Sequence, residues 1–216
     1  MALTPEEAKQ SNDRLRRSLA KRAYRYDEAM GFVERRLLGV EHRDWACSRA
    51  AANTLEVAIG TGLNLPFYPS DVSVTGIDLS DEMLAIARDR ADRLGRVVEL
   101  REGDAHDLPF DDATFDSVVC TYSLCQIPDP LTAVSEMKRV LRRGGILILV
   151  DHIRSSVTPI YWFQRAIEVV STRAEGEYMT RRPLEQVKAN GLNIRERERH
   201  RAGIVERLVA LKADTS

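Results

Sequence analysis

The period of the apolar positions changes once along the chain. From about residue 5 to 38, Leu15, Leu19, Tyr26, Met30, Val33 and Leu37 recur at spacings of three, four or seven, lining one face of a long helix. From Asn53 onward, short apolar runs alternate with helical stretches. Residues 54–59 read as a strand that breaks at Gly60-Thr61-Gly62, and residues 72–78 as a second. Residues 97–101 read as a third and 116–122 as a fourth. Residues 146–151 form a fifth, with the continuous apolar look of a strand buried on both faces. After the second strand, Ser80 is placed to cap a helix, with Asp81 and Glu82 in its first turn. Leu84, Ala87, Ala91 and Leu94 form its inward stripe and Gly95 its stop. Residues 130–141 are a helix and Arg142 to Gly145 a turn. Further helices are expected around residues 160–170 and from Pro183 to Gly191. Two strand-like runs, 193–200 and 204–211, close the chain. The tight turn Arg201-Ala202-Gly203 between them predicts an antiparallel pair.

Strands joined by helical crossovers imply an α/β chain, with a mainly parallel sheet covered on both faces. In such sheets ligands bind at the carboxyl ends of the strands, near the point where strand order reverses. Residues 1–45 are expected to form a helical cap over that edge and residues 46–216 the sheet domain.

The 216 residues carry a net charge of -1, which gives no general reason to expect a nucleic-acid partner. Cys47, Cys120 and Cys125 form no CxxC pair and are odd in number, as expected of reduced thiols in a cytoplasmic protein. The longest aliphatic run, residues 146–150, is far too short to cross a bilayer, and the first residues lack a signal-peptide pattern. One local asymmetry changes this picture. Arg14, Arg16, Arg17, Lys21, Arg22 and Arg25 crowd the first half of the long helix. That is either a solvated basic face or an amphipathic segment touching anionic lipid or a lipid substrate.

Candidate chemistry gathers at the predicted strand ends. Gly60 and Gly62 let backbone amides approach a ligand closely. No Gly-Lys-Ser/Thr follows, so this is not a phosphate-binding P-loop. Leu65 stands at the third position of a nicotinamide fingerprint, which counts against an oxidoreductase. Asp78 ends the second strand and suits a bidentate hydrogen bond to a ribose diol. Ser80 already serves as the cap, which leaves Asp78 freer to do so. Asp104, after the third strand, could accept the exocyclic amine of adenine, with the neighbouring backbone amide donating to a ring nitrogen. No set of His, Cys and carboxylates shows metal-ligand spacing, so no metal is expected.

The runs Glu56-Val-Ala-Ile-Gly-Thr-Gly62, Val74-Thr-Gly-Ile-Asp78, Ser80-Asp-Glu-Met83, Gly103-Asp104-Ala105, Asp107-Leu-Pro-Phe110 and Val140-Leu-Arg-Arg-Gly-Gly145 resemble the class I S-adenosylmethionine-dependent methyltransferases. They are similar to the group typified by the ubiquinone-biosynthesis C-methyltransferases. The match is good over roughly residues 50 to 153. It implies a Rossmann-like sheet of seven strands with the last antiparallel, and S-adenosylmethionine as cofactor. It also implies that Glu56, Gly60 and Gly62 lie along the methionyl part, with Thr61 in the same loop. Asp78 would hold the ribose, beside Leu79, and Met83 would pack on the adenine. Asp104 and Ala105 would read the adenine edge, and Thr121 would line the cofactor. Ala58 departs from the pattern, standing where the family usually has its first glycine.

Within that reading, Tyr26, Tyr122, Cys125, Asp151 and His152 are the candidates facing the methyl group, and His152 is the histidine singled out. Tyr161-Trp-Phe163 and Tyr178-Met179 either wall a hydrophobic acceptor or pack their helix on the sheet. The stretches Gly62-Leu-Asn-Leu-Pro-Phe-Tyr68, Val119-Cys-Thr-Tyr-Ser-Leu-Cys125 and Asp151-His152 resemble bacterial phosphatidylethanolamine N-methyltransferases and animal thiol S-methyltransferases. The expected activity is methyl transfer to N, S or O of a small or lipid-like acceptor, with phosphatidylethanolamine at a membrane surface as the specific alternative. A non-catalytic cofactor-binding regulator is the reading from another class.

Overall fold

In the computed structural model, residues 5–174 and 178–213 are described. A long helix α1 (Pro5–Val33) runs into a π-helical turn (Glu34–Leu38), followed by α2 (Glu41–Cys47). The sheet domain then runs β1 (Asn53–Val57), a 3-10 turn (Leu65–Phe67), β2 (Ser73–Asp78), α3 (Asp81–Leu94), β3 (Val98–Glu102), β4 (Phe115–Thr121), α4 (Pro130–Val140) and β5 (Leu141–His152). It ends with α5 (Thr158–Ala174), α6 (Pro183–Ala189), β6 (Asn193–His200) and β7 (Val205–Leu211). Seven strands lie in the order β3-β2-β1-β4-β5-β7-β6. Among the described strands β7 runs against its neighbours, pairing antiparallel with both β5 and β6, while the other adjacent pairs are parallel. The strand order reverses between β1 and β4.

Alternation along the central strands sorts the core onto two faces. Val118 and Cys120 of β4, with Leu147 and Leu149 of β5, pack with Ala133, Val134 and Met137 of α4 and Leu184 and Val187 of α6. Val119, Ile148 and Val150 point the other way, toward Ala46 and Cys47 of α2 and Leu84 and Ala91 of α3. Strands covered on both faces have no polar side, which is why they read as unbroken apolar runs. The outer strand β6 is mostly exposed and rich in Arg and Glu, as suits an edge that must not pair with another chain.

Local expectations met tertiary constraints at several places. Ser80 caps α3 by accepting from the Met83 amide, and Gly95 closes it in the left-handed conformation. Leu94, expected inward, is 43% exposed, because only the Met83, Leu84, Ala87 and Ala91 side of α3 meets the sheet. Val97 precedes β3 and is exposed. The register slips between the pairs Phe115–Leu141 and Ile146–Ser117, so residues 142–145, expected as a separate turn, instead form a bulge within a longer β5. Leu37 is 56% exposed, whereas Glu34 and Leu38 are buried. The π-helical turn inserts an extra residue per turn, so the inward face rotates away from the 3.6-residue register that pointed to Leu37. Trp162 and Phe163 on α5 are 65% and 66% exposed, so neither packs that helix on the sheet.

Candidate functional site

At the strand-order reversal the carboxyl ends of the strands open into a cavity. Its floor is Val57, Ala58 and Gly60 after β1, Ile77, Asp78 and Leu79 at β2, Gly103 to His106 after β3, and Tyr122 and Ser123 after β4. Met83 of α3 closes one side. Asn12, Leu15, Leu19 and Tyr26 of α1 form the roof. The long helix is therefore part of the cavity wall, with its apolar stripe turned inward.

The loop after β1 is shaped by one carboxylate. Asp78 accepts from the Gly60 amide at 2.8 Å and from the Ser80 amide at 3.0 Å. Ser80 does cap α3, but Asp78 is not left without protein partners: each of its oxygens already holds one amide, which fixes its orientation. Burial raises its pKa to about 6 against the pull of those amides. Ala58, Gly60 and Gly62 all have positive φ, at 56°, 57° and 77°. Tyr122 does too, at 53°, and its buried hydroxyl has no hydrogen-bond partner among the described residues. Tyr122 is thus a non-glycine residue in a sparsely populated conformation beside the cavity, with an unsatisfied phenol.

Asp104 is engaged by α1 and by its own loop. Its carboxylate takes the Asn12 amide, the His106 backbone amide and the His106 Nδ1. His106 Nε2 accepts from the Asp129 amide at 3.1 Å, so the proton of a neutral ring sits on Nδ1. Burial opposes ionisation of Asp104, but the hydrogen bonds from His106, with the Arg16 charge, outweigh it and lower its pKa. Farther along α1, Asp27 accepts from Thr61 Oγ1 and pairs with Arg90.

Residues 55–149 match the family described as a methyltransferase domain. Over those residues the chain is similar to methyltransferase domains. A phosphatidylethanolamine N-methyltransferase of Cereibacter sphaeroides is 46% identical over 115 residues, 52% of this chain and 57% of that protein. A demethylmenaquinone methyltransferase of Staphylococcus aureus is 37% identical over 108 residues, 48% of this chain and 44% of that one. The matched stretch thus spans about half the length of these curated relatives. In fold, the chain superimposes on a Haemonchus contortus phosphoethanolamine N-methyltransferase 2, solved with phosphomonomethylethanolamine and S-adenosylhomocysteine. The TM-score is 0.73 at 18% identity, covering 94% of this chain and 61% of that one.

The expected site residues divide in two. Gly60, Asp78, Leu79, Met83, Asp104, Ala105, Tyr26 and Tyr122 line the cavity. Glu56, Thr61, Gly62, Thr121, Asp151 and His152 are not among the residues that line it. Glu56 is buried in a polar cluster, accepting from Asn64 Nδ2 at 2.8 Å and Tyr68 OH at 2.9 Å. Burial raises its pKa to about 7, with Tyr68, Arg43 and Asn64 pulling the other way. Thr121 Oγ1 takes the same Asn64 amide at 3.0 Å. Arg43 crosses the cluster, pairing with buried Glu34 and donating to Asn64 Oδ1 at 2.8 Å. Burial drives both cavity tyrosines up, Tyr26 to about 12 and Tyr122 higher still, so both stay protonated.

Sequence reasoning missed Asn12, His106, Arg43 and Gln126. His106 lines the cavity, whereas His152, the histidine singled out, is not among its lining residues. The adjacency Asp104-Ala-His106 was the available signal. Asn12 and Arg43 gave none, because their partners lie 92 and 21 residues away along the chain. Asp151 accepts from the Cys125 amide at 3.2 Å and its neighbour's amide at 2.8 Å. The Tyr178 amide donates to the Cys125 carbonyl at 3.0 Å.

Proposed function

We propose that the protein is an S-adenosylmethionine-dependent methyltransferase acting on nitrogen of a small or lipid-like amine, of which a phosphatidylethanolamine head group is the leading candidate. The observation that carries this reading is the cavity's polarity. Two anchored carboxylates, Asp78 and Asp104, and two protonated tyrosines, Tyr26 and Tyr122, are the ionisable polar groups it brings together with His106. The 46% identity to the Cereibacter sphaeroides enzyme supports the amine.

The cofactor fits the donor set. Asp78 would hold a ribose diol with the lone pairs its two amides leave open. Asp104, Ala105 and Met83 would take the adenine, and the Ala58 to Gly60 backbone the methionyl end. Glu56 and Thr121 would act from behind, by holding Asn64 and Tyr68. Bound there, the cofactor supplies an electrophilic methyl on a sulfonium, so this chain's task is alignment and exclusion of water. Tyr26 and Tyr122 cannot serve as bases while protonated. They would orient the acceptor by hydrogen bonding. Asp151 and His152 are given no part in proton transfer, because neither lines the cavity; an amine arriving neutral needs no base. Residues 1–45 would act as the cap whose α1 face closes the site.

The lipid version has its own support. No helix of the described residues is long and apolar enough to cross a membrane. Arg14, Arg17, Lys21 and Arg25 are exposed on α1, whereas Arg16 bonds the Leu79 carbonyl and Glu102, and Arg22 the Gln126 side chain. The outward four would meet an anionic surface while the inward face roofs the cavity. Charge reversal of those four should weaken binding to anionic vesicles; unchanged binding would remove the membrane contact.

The deciding experiment supplies a labelled methyl donor with phosphatidylethanolamine vesicles, soluble amines, thiols and phenols in parallel. Label in an amine is expected. Thiol labelling alone would move the acceptor atom to sulfur. Cofactor binding without transfer to any class would leave a non-catalytic binder.

A further inference from the structure

Spacing along the chain gave no metal set, yet the fold assembles one. Cys125 lies in the loop after β4 and Asp151-His152 at the end of β5, and parallel pairing of these strands brings both segments to the same sheet edge. One donor atom from each, a thiol sulfur, a carboxylate oxygen and an imidazole nitrogen, lies within 4.8 Å of the other two. All three residues are buried, at 1%, 2% and 7% exposure.

We propose that Cys125, Asp151 and His152 form a three-ligand site for a thiophilic divalent cation of the zinc class. The donor set decides the metal. A thiolate with an imidazole suits zinc or its neighbours and not magnesium or calcium, which take oxygen. Three protein ligands with one position open is the pattern of reactive rather than purely structural zinc sites. Charge favours it as well. A thiolate and a carboxylate together neutralise a dication, so a buried site carries no net charge from ion and ligands.

Geometry asks for little. Tetrahedral zinc with bonds of about 2.0–2.3 Å holds its donors roughly 3.5 Å apart, so the three need close by about 1 Å. Side-chain rotation supplies that, because the surrounding backbone is already fixed. The Cys125 amide and carbonyl are held by Asp151 and the Tyr178 amide. In the same loop the carbonyls of Leu124 and Ile127 are both held by Arg181. Each Asp151 oxygen accepts one amide and keeps a further lone pair for the ion. Ser123, Gln126 and Ile127 of the same loop line the cavity, so the ion would sit behind its floor.

Metal binding would deprotonate Cys125 and release its proton to solvent, with no change in oxidation state. The site does not depend on which acceptor is methylated, and its test does not use methyl transfer. Metal-free full-length protein is titrated with cobalt(II), then with zinc(II). One equivalent of cobalt should give a thiolate-to-metal charge-transfer band that zinc abolishes. Cys125→Ser should lose the band, and Cys47→Ser should keep it. His152→Gln should weaken binding by at least about tenfold, since even outer-shell changes cost 10–100-fold at metal sites. Absence of saturable cobalt binding by the wild-type protein would overturn the proposal, as would an undiminished band in Cys125→Ser. If Cys125→Ser does not fold, His152→Gln carries the test, with wild-type affinity in that variant counting against the site.

Discussion

Ala58 and Gly60 form a matched pair that isolates backbone strain in the cavity loop. Their φ angles are 56° and 57°, two residues apart in one turn. Alanine in the left-handed region costs roughly 1–2 kcal/mol relative to glycine. Glycine in turn loses about 0.4–1 kcal/mol through the greater freedom of its unfolded chain. The strain is the larger quantity, so Ala58→Gly should stabilise the protein by about 0.8 kcal/mol net. For a chain of this length that raises Tm by about 2 °C. Gly60→Ala should do the reverse by a similar amount, because a Cβ there meets nothing within 4 Å and only the backbone term applies. Calorimetry and urea titration with unchanged m-values provide the measurement. Shifts of the same sign in the two variants would refute the reasoning, since sterics cannot then be separated from conformation. Gly62→Ala is the harsher contrast. Its φ is 77°, and a Cβ would stand 2.8 Å from Leu65 Cδ1, so a loss clearly beyond that of Gly60→Ala is expected.

Three further outcomes follow from the buried polar groups. Asp78→Asn should weaken S-adenosylmethionine binding by about ten- to a hundredfold in calorimetry, the worth of hydrogen bonds to a charged acceptor; undiminished affinity would remove Asp78 from the ribose. Glu56 has its folded pKa raised to about 7 by burial, above its unfolded value, so its protonated form favours the fold. That contribution is full below the unfolded pKa and is lost as pH rises through roughly 4 to 7. Glu56→Gln should therefore flatten the fall in urea stability across this window, and a retained wild-type slope would count against it. Arg43→Met leaves Glu34 buried without its partner and should cost about 3–5 kcal/mol, most of it restored by adding Glu34→Gln.

The strands were legible because each is short and apolar and ends in residues with one evident use. Asp78 and Asp104 close consecutive strands, and Gly60 and Gly62 break the first, so their meeting at one edge follows from parallel pairing alone. Their occupancy was not legible. Asn12 reaches Asp104 across 92 residues, and no local pattern encodes a contact that depends on where α1 lies. The face of α1 was right as far as Val33, and failed at Leu37 because the π-helical turn changes the period itself. Among the aromatics, Trp162 and Phe163 look like core residues in sequence, but α5 turns them outward.

By itself, then, the sequence determined the α/β sheet, the glycine loop and the carboxylates at its rim, because hydrophobic period and strand-end chemistry are local. Tertiary structure alone decided which of those groups face the cavity, that α1 roofs it, and that Cys125 meets Asp151 and His152. Those contacts join segments far apart in the chain, and only the packing of the sheet sets the distances between them.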